Sequence, residues 1–180
     1  MRKVLKFTAL FLCLALVFVA ACQKKAEKKA TEKAMEKAIE KETGEKAKVN
    51  IEKEKVVIEH KGGKAEFAKE GGLSLPDNFP KDIYIYPGSK IIMSVSDKSG
   101  VTVTLATDDG LADVAAKYDE EMKKNGWSQE TSMKMQQVQV FSFKKGNETV
   151  TIQIMPGSNQ MMPGAENAKT VIGIVAQLEG

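Results

Sequence analysis

Residues 101–127 read VTVTLATDDGLADVAAKYDEEMKKNGW, and the change of period inside this stretch decides the fold. Val101, Val103 and Leu105 alternate with Thr102, Thr104 and Ala106, the pattern of a strand with one buried face and one more polar face. From Leu111 onward the apolar residues Leu111, Val114, Ala115, Tyr118 and Met122 fall at steps of three and four, which makes one helical stripe. Thr107, Asp108 or Asp109 can cap the start of this helix, and Asp113 suits its positive end. Lys123 and Lys124 suit the negative end, and Gly126 can stop the helix after Asn125. A helix of about 15 residues spans roughly 22 Å, close to the length of a short strand, so it can lie across a sheet. Trp127 reads as a packing anchor.

Working outward, strands are expected at 91–96 (IIMSVS) and 101–107, joined through Asp97-Lys98-Ser99-Gly100 as a hairpin. Three more are expected at 138–144, 148–154 and 170–178, the first two linked by Lys145-Gly146-Asn147. Val138 and Val140 alternate out of phase with Phe141 and Phe143, which marks either a bulge or a strand buried on both faces. Pro76, Pro80 and Pro87 make 73–90 an extended strip with a turn at Pro87-Gly88. The predicted order is β-β-α-β-β-β, an α+β domain over 73–180 with an antiparallel sheet and one packed helix.

Before that domain the composition is different. Residues 26–41 read AEKKATEKAMEKAIEK, rich in strong helix formers with Glu and Lys about one turn apart. A repeat of four against a period of 3.6 rotates the Ala stripe around the helix and leaves no coiled-coil seam. The expectation is a solvated, Lys/Glu-rich helical tether over 22–47. Residues 48–72 mix β-branched residues with charges around Lys61-Gly62-Gly63-Lys64, which predicts a short β-hairpin or mobile linker. It holds too few large apolar residues for a core of its own, so it docks on the next domain or moves freely. The histidine there, His60 beside Lys61, reads as a solvated strand residue. The leader from Gln23 to Gly72 is expected to give reach.

Residues 1–21 have the form of a secretion signal: Arg2, Lys3 and Lys6, then an uncharged apolar run from Phe7 to Ala21 that is short for a membrane span. Val19-Ala20-Ala21-Cys22 resembles the bacterial lipobox, which implies cleavage between Ala21 and Cys22 and acyl chains on the Cys22 thiol. Two or three chains make a stable membrane anchor where one does not. Cys13 leaves with the signal and Cys22 is consumed, so disulfides, thiolate catalysis and Cys-ligated zinc are excluded from the mature domain. Cleavage removes three of the 27 basic residues and none of the 24 acidic ones. The mature chain is then formally neutral, which removes the basis for nucleic-acid binding.

Leu75-Pro76, Phe79-Pro80, Asp82, Tyr86-Pro87-Gly88 and the helix ending in Gly126-Trp127 resemble a family of uncharacterised bacterial lipoproteins. These carry an "LP, FP, D, YPG" lead-in to a small α+β domain behind a Lys/Glu-rich leader. The resemblance implies placement in the cell envelope, lipid-anchored and facing the periplasm, and implies no reaction. Gln23 after the cysteine resembles lipoproteins sorted to the outer membrane.

No catalytic constellation stands out. Residues 73–180 contain no histidine, no HExxH pattern and no phosphate-binding glycine pattern. Asp108, Asp109 and Asp113 sit where capping explains them, and Asp119, Glu120 and Glu121 lie on a polar face. Methionine is the unusual signal: Met133, Met135, Met155, Met161 and Met162 crowd the last third, and MPGSNQMMPGAEN (155–167) carries Met-Pro-Gly at both ends. Met155, Met161 and Met162 are the candidate contact residues, either for a protein partner or, as thioethers, for Cu(I). The sequence therefore predicts a non-enzymatic envelope lipoprotein without a cofactor. It is tethered by Cys22 and binds another envelope component, expected to be a protein. The alternatives are a small-ligand or Cu(I) carrier, using the sheet's concave face or the Met-rich loop, and an enzyme of unknown type.

Overall fold

Strand periodicity extends much further along the chain than residues 91–178. The computed structural model describes residues 25–157 and 163–178. In chain order these form α1 (Lys25–Thr43), β1 (Ala47–Ile51), β2 (Lys55–His60), β3 (Gly63–Ala68), β4 (Lys90–Asp97) and β5 (Gly100–Thr107). There follow α2 (Leu111–Lys124), β6 (Ser128–Met135), β7 (Val138–Lys145), β8 (Glu148–Pro156) and β9 (Thr170–Gln177). The strands make one sheet in the order β1-β2-β3-β4-β5-β9-β8-β7-β6. Every neighbouring pair is antiparallel.

The α+β class with an antiparallel sheet therefore holds, while the strand count and the single packed helix are corrected. Residues 48–72 are not a mobile linker: the hairpin expected around Lys61-Gly62 forms as β2 and β3, with His60 opposite Gly63, and β1 extends it. They supply three strands, and β3 pairs with β4, Phe67 opposite Met93 and Ala65 opposite Val95. A segment too poor in apolar residues to hold its own core has gained one by extending an existing sheet. Residues 128–135 form the strand that periodicity misses. SQETSMKM has no alternation because β6 is an edge strand exposed along most of its length. The parity change in β7 is a strand covered on both faces: Phe141 and Phe143 are buried, and Val138 and Val140 are partly so. The bulge in this region lies in β6 instead, between Gln129 and Thr131.

The two helices cover opposite faces. Val114, Tyr118 and Met122 of α2 are fully buried against Val103, Leu105, Phe143, Val150, Ile152 and Ile174. The stripe read from the sequence is thus the stripe that packs. The helix cap differs from expectation: Gly110 holds the N-cap without a side-chain hydrogen bond. Thr107 Oγ1 instead accepts the Asp109 N–H at 3.3 Å, and the Asp109 carbonyl accepts the Thr170 hydroxyl at 2.7 Å, so the turn is tied down from β9. Register places Met93 opposite Thr104 and Val95 opposite Thr102, on the face turned away from Val103 and Leu105. That second face carries Val49, Ile51, Val56, Ile58, Phe67 and Met93, and α1 packs on it through Met35 and Ile39.

The charged leader is helical, as its composition predicts, but it is not a solvated tether. Met35 and Ile39 lie one turn apart and supply the apolar contact, while two glutamates do something a tether does not need. The Val49 N–H donates to Glu36 Oε1 at 3.0 Å, and the Ile51 N–H donates to Glu32 Oε1 at 2.9 Å. The free edge of β1 thus ends on carboxylates rather than on another strand. With α1 docked and 47–68 in the sheet, the leader gives little reach.

The lead-in motif has a structural explanation. Phe79 and Ile83 are buried beside α2. The Asp82 carbonyl accepts the Trp127 indole N–H at 3.3 Å and the Asn125 amide at 3.0 Å, and the Asp82 carboxylate takes the Lys145 ammonium at 2.5 Å. Gly88, at φ 75, is the left-handed residue of the turn closed by the Ser89 N–H on the Tyr86 carbonyl. The Tyr118 hydroxyl, buried against the Tyr84 and Tyr86 rings, has no well-formed hydrogen bond among the described residues, the Tyr86 backbone making only a marginal contact with it. Removing such a buried hydroxyl costs little in lost bonds, so Tyr118→Phe is expected to leave stability unchanged or raise it by up to about 1 kcal/mol, read by urea denaturation. A loss of more than that would mean the hydroxyl has a partner, for instance a buried water.

Candidate functional site: an apolar groove beside the first helix

The face of the sheet that carries α1 is only partly covered. Between α1 and the centre of the sheet runs a groove of about 510 Å³. Its wall is Ile39 and Thr43 of α1, with Glu45 just beyond the helix. Its floor is Ile58 and His60 of β2, Ala65 and Phe67 of β3, and Met93, Val95 and Asp97 of β4. Gly100 and Thr102 of β5 and Val175 of β9 complete the far side. Strand alternation explains the lining, because residues two apart share a face and cross-strand partners extend it. Val175 lies opposite Thr102 and is 41% exposed, a large aliphatic residue left uncovered at the middle of the sheet. A concave, mostly apolar surface of this size with a few polar groups at one end has the form of a small-ligand site.

The polar groups gather at the rim. Asp97 Oδ1 accepts the Ser99 N–H (2.7 Å), the Ser99 hydroxyl (2.6 Å) and the Gly100 N–H (3.1 Å). Burial pulls this carboxyl up, but those bonds and nearby His60 outweigh it, so Asp97 sits below the usual carboxylate range and is ionised. His60 Nδ1 accepts the Gly62 N–H at 3.1 Å and lies 3.3 Å from Glu45 Oε2. One nitrogen cannot accept the first and donate to the second. The two contacts are therefore alternatives for that nitrogen. Glu45 and Asp97 line the groove with the His60 imidazole beside them, and among the described residues no Lys or Arg side chain lines it.

A second cleft, of about 450 Å³, lies on the opposite face among β2, β3, β4 and residues 71–77. Both of its lysines are already paired internally, with one glutamate. Glu66 takes Lys55 at 2.6 Å and Lys64 at 3.0 Å. Burial raises the Glu66 carboxyl, and the two ammonium groups overcome that and hold it low. Three of the four acidic residues of α2 are likewise paired. Asp119 pairs with Lys123, Glu120 with Lys117, and Glu121 with Lys124, each one turn apart on a solvated face. Tyr86 is pushed up to about 12, chiefly by its hydrogen bond to Asp109, which moves it away from any role as a base near neutrality. Among the described residues no three His, Cys, Asp or Glu side chains gather as a metal site would require, and no helix is long and apolar enough to cross a membrane.

The residues singled out from the sequence fall elsewhere. Ala21, Cys22, Met161 and Met162 lie outside the described residues. Met155, at the end of β8, packs on a small cluster of Ile92, Ala106, Ala165 and Val171. Residues 163–169 cover that cluster, with Ala165 at 1% exposure. The groove was missed because its residues are scattered over five strands and a helix. One local signal existed: Val56, Ile58 and His60 alternate, which places His60 on the same face as two core residues.

Comparisons with known proteins add one likeness. The model of a family described as START domain-like matches residues 91–168, the stretch from β4 to the loop before β9. No curated protein and no solved structure matches the chain.

Proposed function

We propose that this chain is a lipid-anchored, non-enzymatic protein of the bacterial cell envelope that binds a small apolar or amphiphilic envelope molecule in the groove between α1 and the sheet. The observation that carries this reading is the apolar groove lined by Ile58, Phe67, Met93, Val95 and Val175 and walled by Ile39, in which Val175 is left 41% exposed at the middle of the sheet. Exposing aliphatic area at the centre of a sheet forgoes about 25 cal/mol for each Å² left in water, a loss that a bound apolar molecule recovers. The START domain-like likeness spans β4 and β5, which supply Met93, Val95, Asp97, Gly100 and Thr102 to the groove, and it supports ligand binding. Lipidation at Cys22 and membership of the lipoprotein family with the LP-FP-D-YPG lead-in belong to the same proposal. Helix α1 begins at Lys25, three residues after Cys22, so an acylated Cys22 would hold the groove-bearing domain near the membrane surface.

Titrating the full chain with the neutral fluorescent probe N-phenyl-1-naphthylamine tests the reading. Wild type is expected to bind with enhanced emission, and Val175→Glu to lower the affinity at least about tenfold, the equivalent of 1.4 kcal/mol, by placing a charge on the floor. Val175 is partly exposed, so the fold tolerates the change. Equal binding by both proteins, or none by wild type, would remove the groove from consideration.

A further inference from the structure

We infer that the groove selects an amphiphile whose head group is cationic, a single-chain amine in its simplest form, seated against Glu45 and Asp97. The inference rests on the ligand-binding reading above and adds the chemistry of the head. The lining is mostly apolar, so head-group selectivity comes from the polar end, where the ionisable groups are Glu45, His60 and Asp97. Asp97 is held ionised by three hydrogen bonds that all fall on Oδ1, which fixes the carboxylate in place. Glu45 has His60 as its neighbour at 3.3 Å, and that imidazole nitrogen already accepts the Gly62 N–H. Lys61 and Lys98 adjoin these residues in sequence but do not line the groove. A ligand lying with its chain over Val95 and Val175 therefore meets two carboxylates at the polar end, with the His60 imidazole beside them and, among the described residues, no Lys or Arg side chain lining the groove. An ammonium head is attracted there, a hydroxyl is neutral, and a carboxylate is repelled.

Competition against the bound naphthylamine probe distinguishes these heads at constant chain length. Dodecylamine is expected to displace the probe at roughly three- to fivefold lower concentration than dodecanol, the scale of an exposed charge pair, with dodecanoate weakest of the three. Glu45→Gln combined with Asp97→Asn, which keeps the size of both side chains and the acceptor oxygen of Asp97, is expected to collapse the gap between amine and carboxylate. If the probe binds but the three competitors rank equally, or dodecanoate ranks first, the cationic-head inference is overturned while the groove reading stands. A gap that survives the double substitution also overturns it. Failure of the probe to bind at all overturns the groove reading itself.

Discussion

Trp127→Ala is expected to destabilise the protein by about 3–5 kcal/mol, more than the loss of any other single side chain in the main core, measured as a fall in the urea midpoint with little change in slope. The indole is 2% exposed in that core, and three further features depend on its position. Its N–H donates to the Asp82 carbonyl, the Lys145 ammonium lies 5.9 Å from the ring centroid, and Gly126 at φ 86 turns the chain from α2 so that Trp127 can enter the core. Alanine would leave a cavity and strand the Asp82 carbonyl with one donor fewer. Trp127→Phe separates the two contributions, since it keeps most of the packing and drops the hydrogen bond. It is expected to cost about 1 kcal/mol from the bond and a further increment for the smaller ring. A loss under about 1 kcal/mol for the alanine variant would contradict the latching of the lead-in strip to the end of α2 through this residue.

Undocking α1 should have the second large effect, and the effect is of a different kind. Met35→Asp with Ile39→Asp removes both apolar contacts of the helix, each worth about 2 kcal/mol or more, and places charges in their stead. Two consequences follow from the geometry. The amides of Val49 and Ile51 lose their glutamate acceptors, so their hydrogen exchange is expected to accelerate and the bare β1 edge to pair with other copies, seen as concentration-dependent association in light scattering. The groove also loses its Ile39 wall, so probe affinity is expected to fall in the same variant. A monomer with unchanged exchange at Val49 and Ile51 would mean that the helix does not guard the edge.

Reading the sequence recovered those elements whose burial is one-sided. Strand β5 and helix α2 each turn one clean face to the main core, so Val101, Val103 and Leu105 and the Val114–Tyr118–Met122 stripe announce themselves by period alone. Strand β6 is an edge strand with little burial, and burial is what writes periodicity into a sequence, so SQETSMKM reads as a loop. Helix α1 misled for a related reason. Its composition predicted a helix correctly, yet only Met35 and Ile39 distinguish a docked helix from a solvated one, and Glu32 and Glu36 look like ordinary surface charge until β1 lies beside them. The groove was the least legible feature. Phe67, Val95 and Val175 look like core residues in their own strands, and only the nine-strand order reveals that part of that face has no cover. His60 is the solvated strand residue that the sequence predicts, and the strand order adds that it stands at the rim of a concavity.

Ligand binding in the groove is tested most directly by the position of a bound apolar molecule in methyl-labelled protein, read from intermolecular nuclear Overhauser effects with N-phenyl-1-naphthylamine. The groove reading predicts contacts to the methyls of Ile39, Ile58, Val95 and Val175, which belong to four different elements and converge only there. Contacts confined to other exposed apolar residues, such as Met133 and Met135 on the β6 edge, would contradict it.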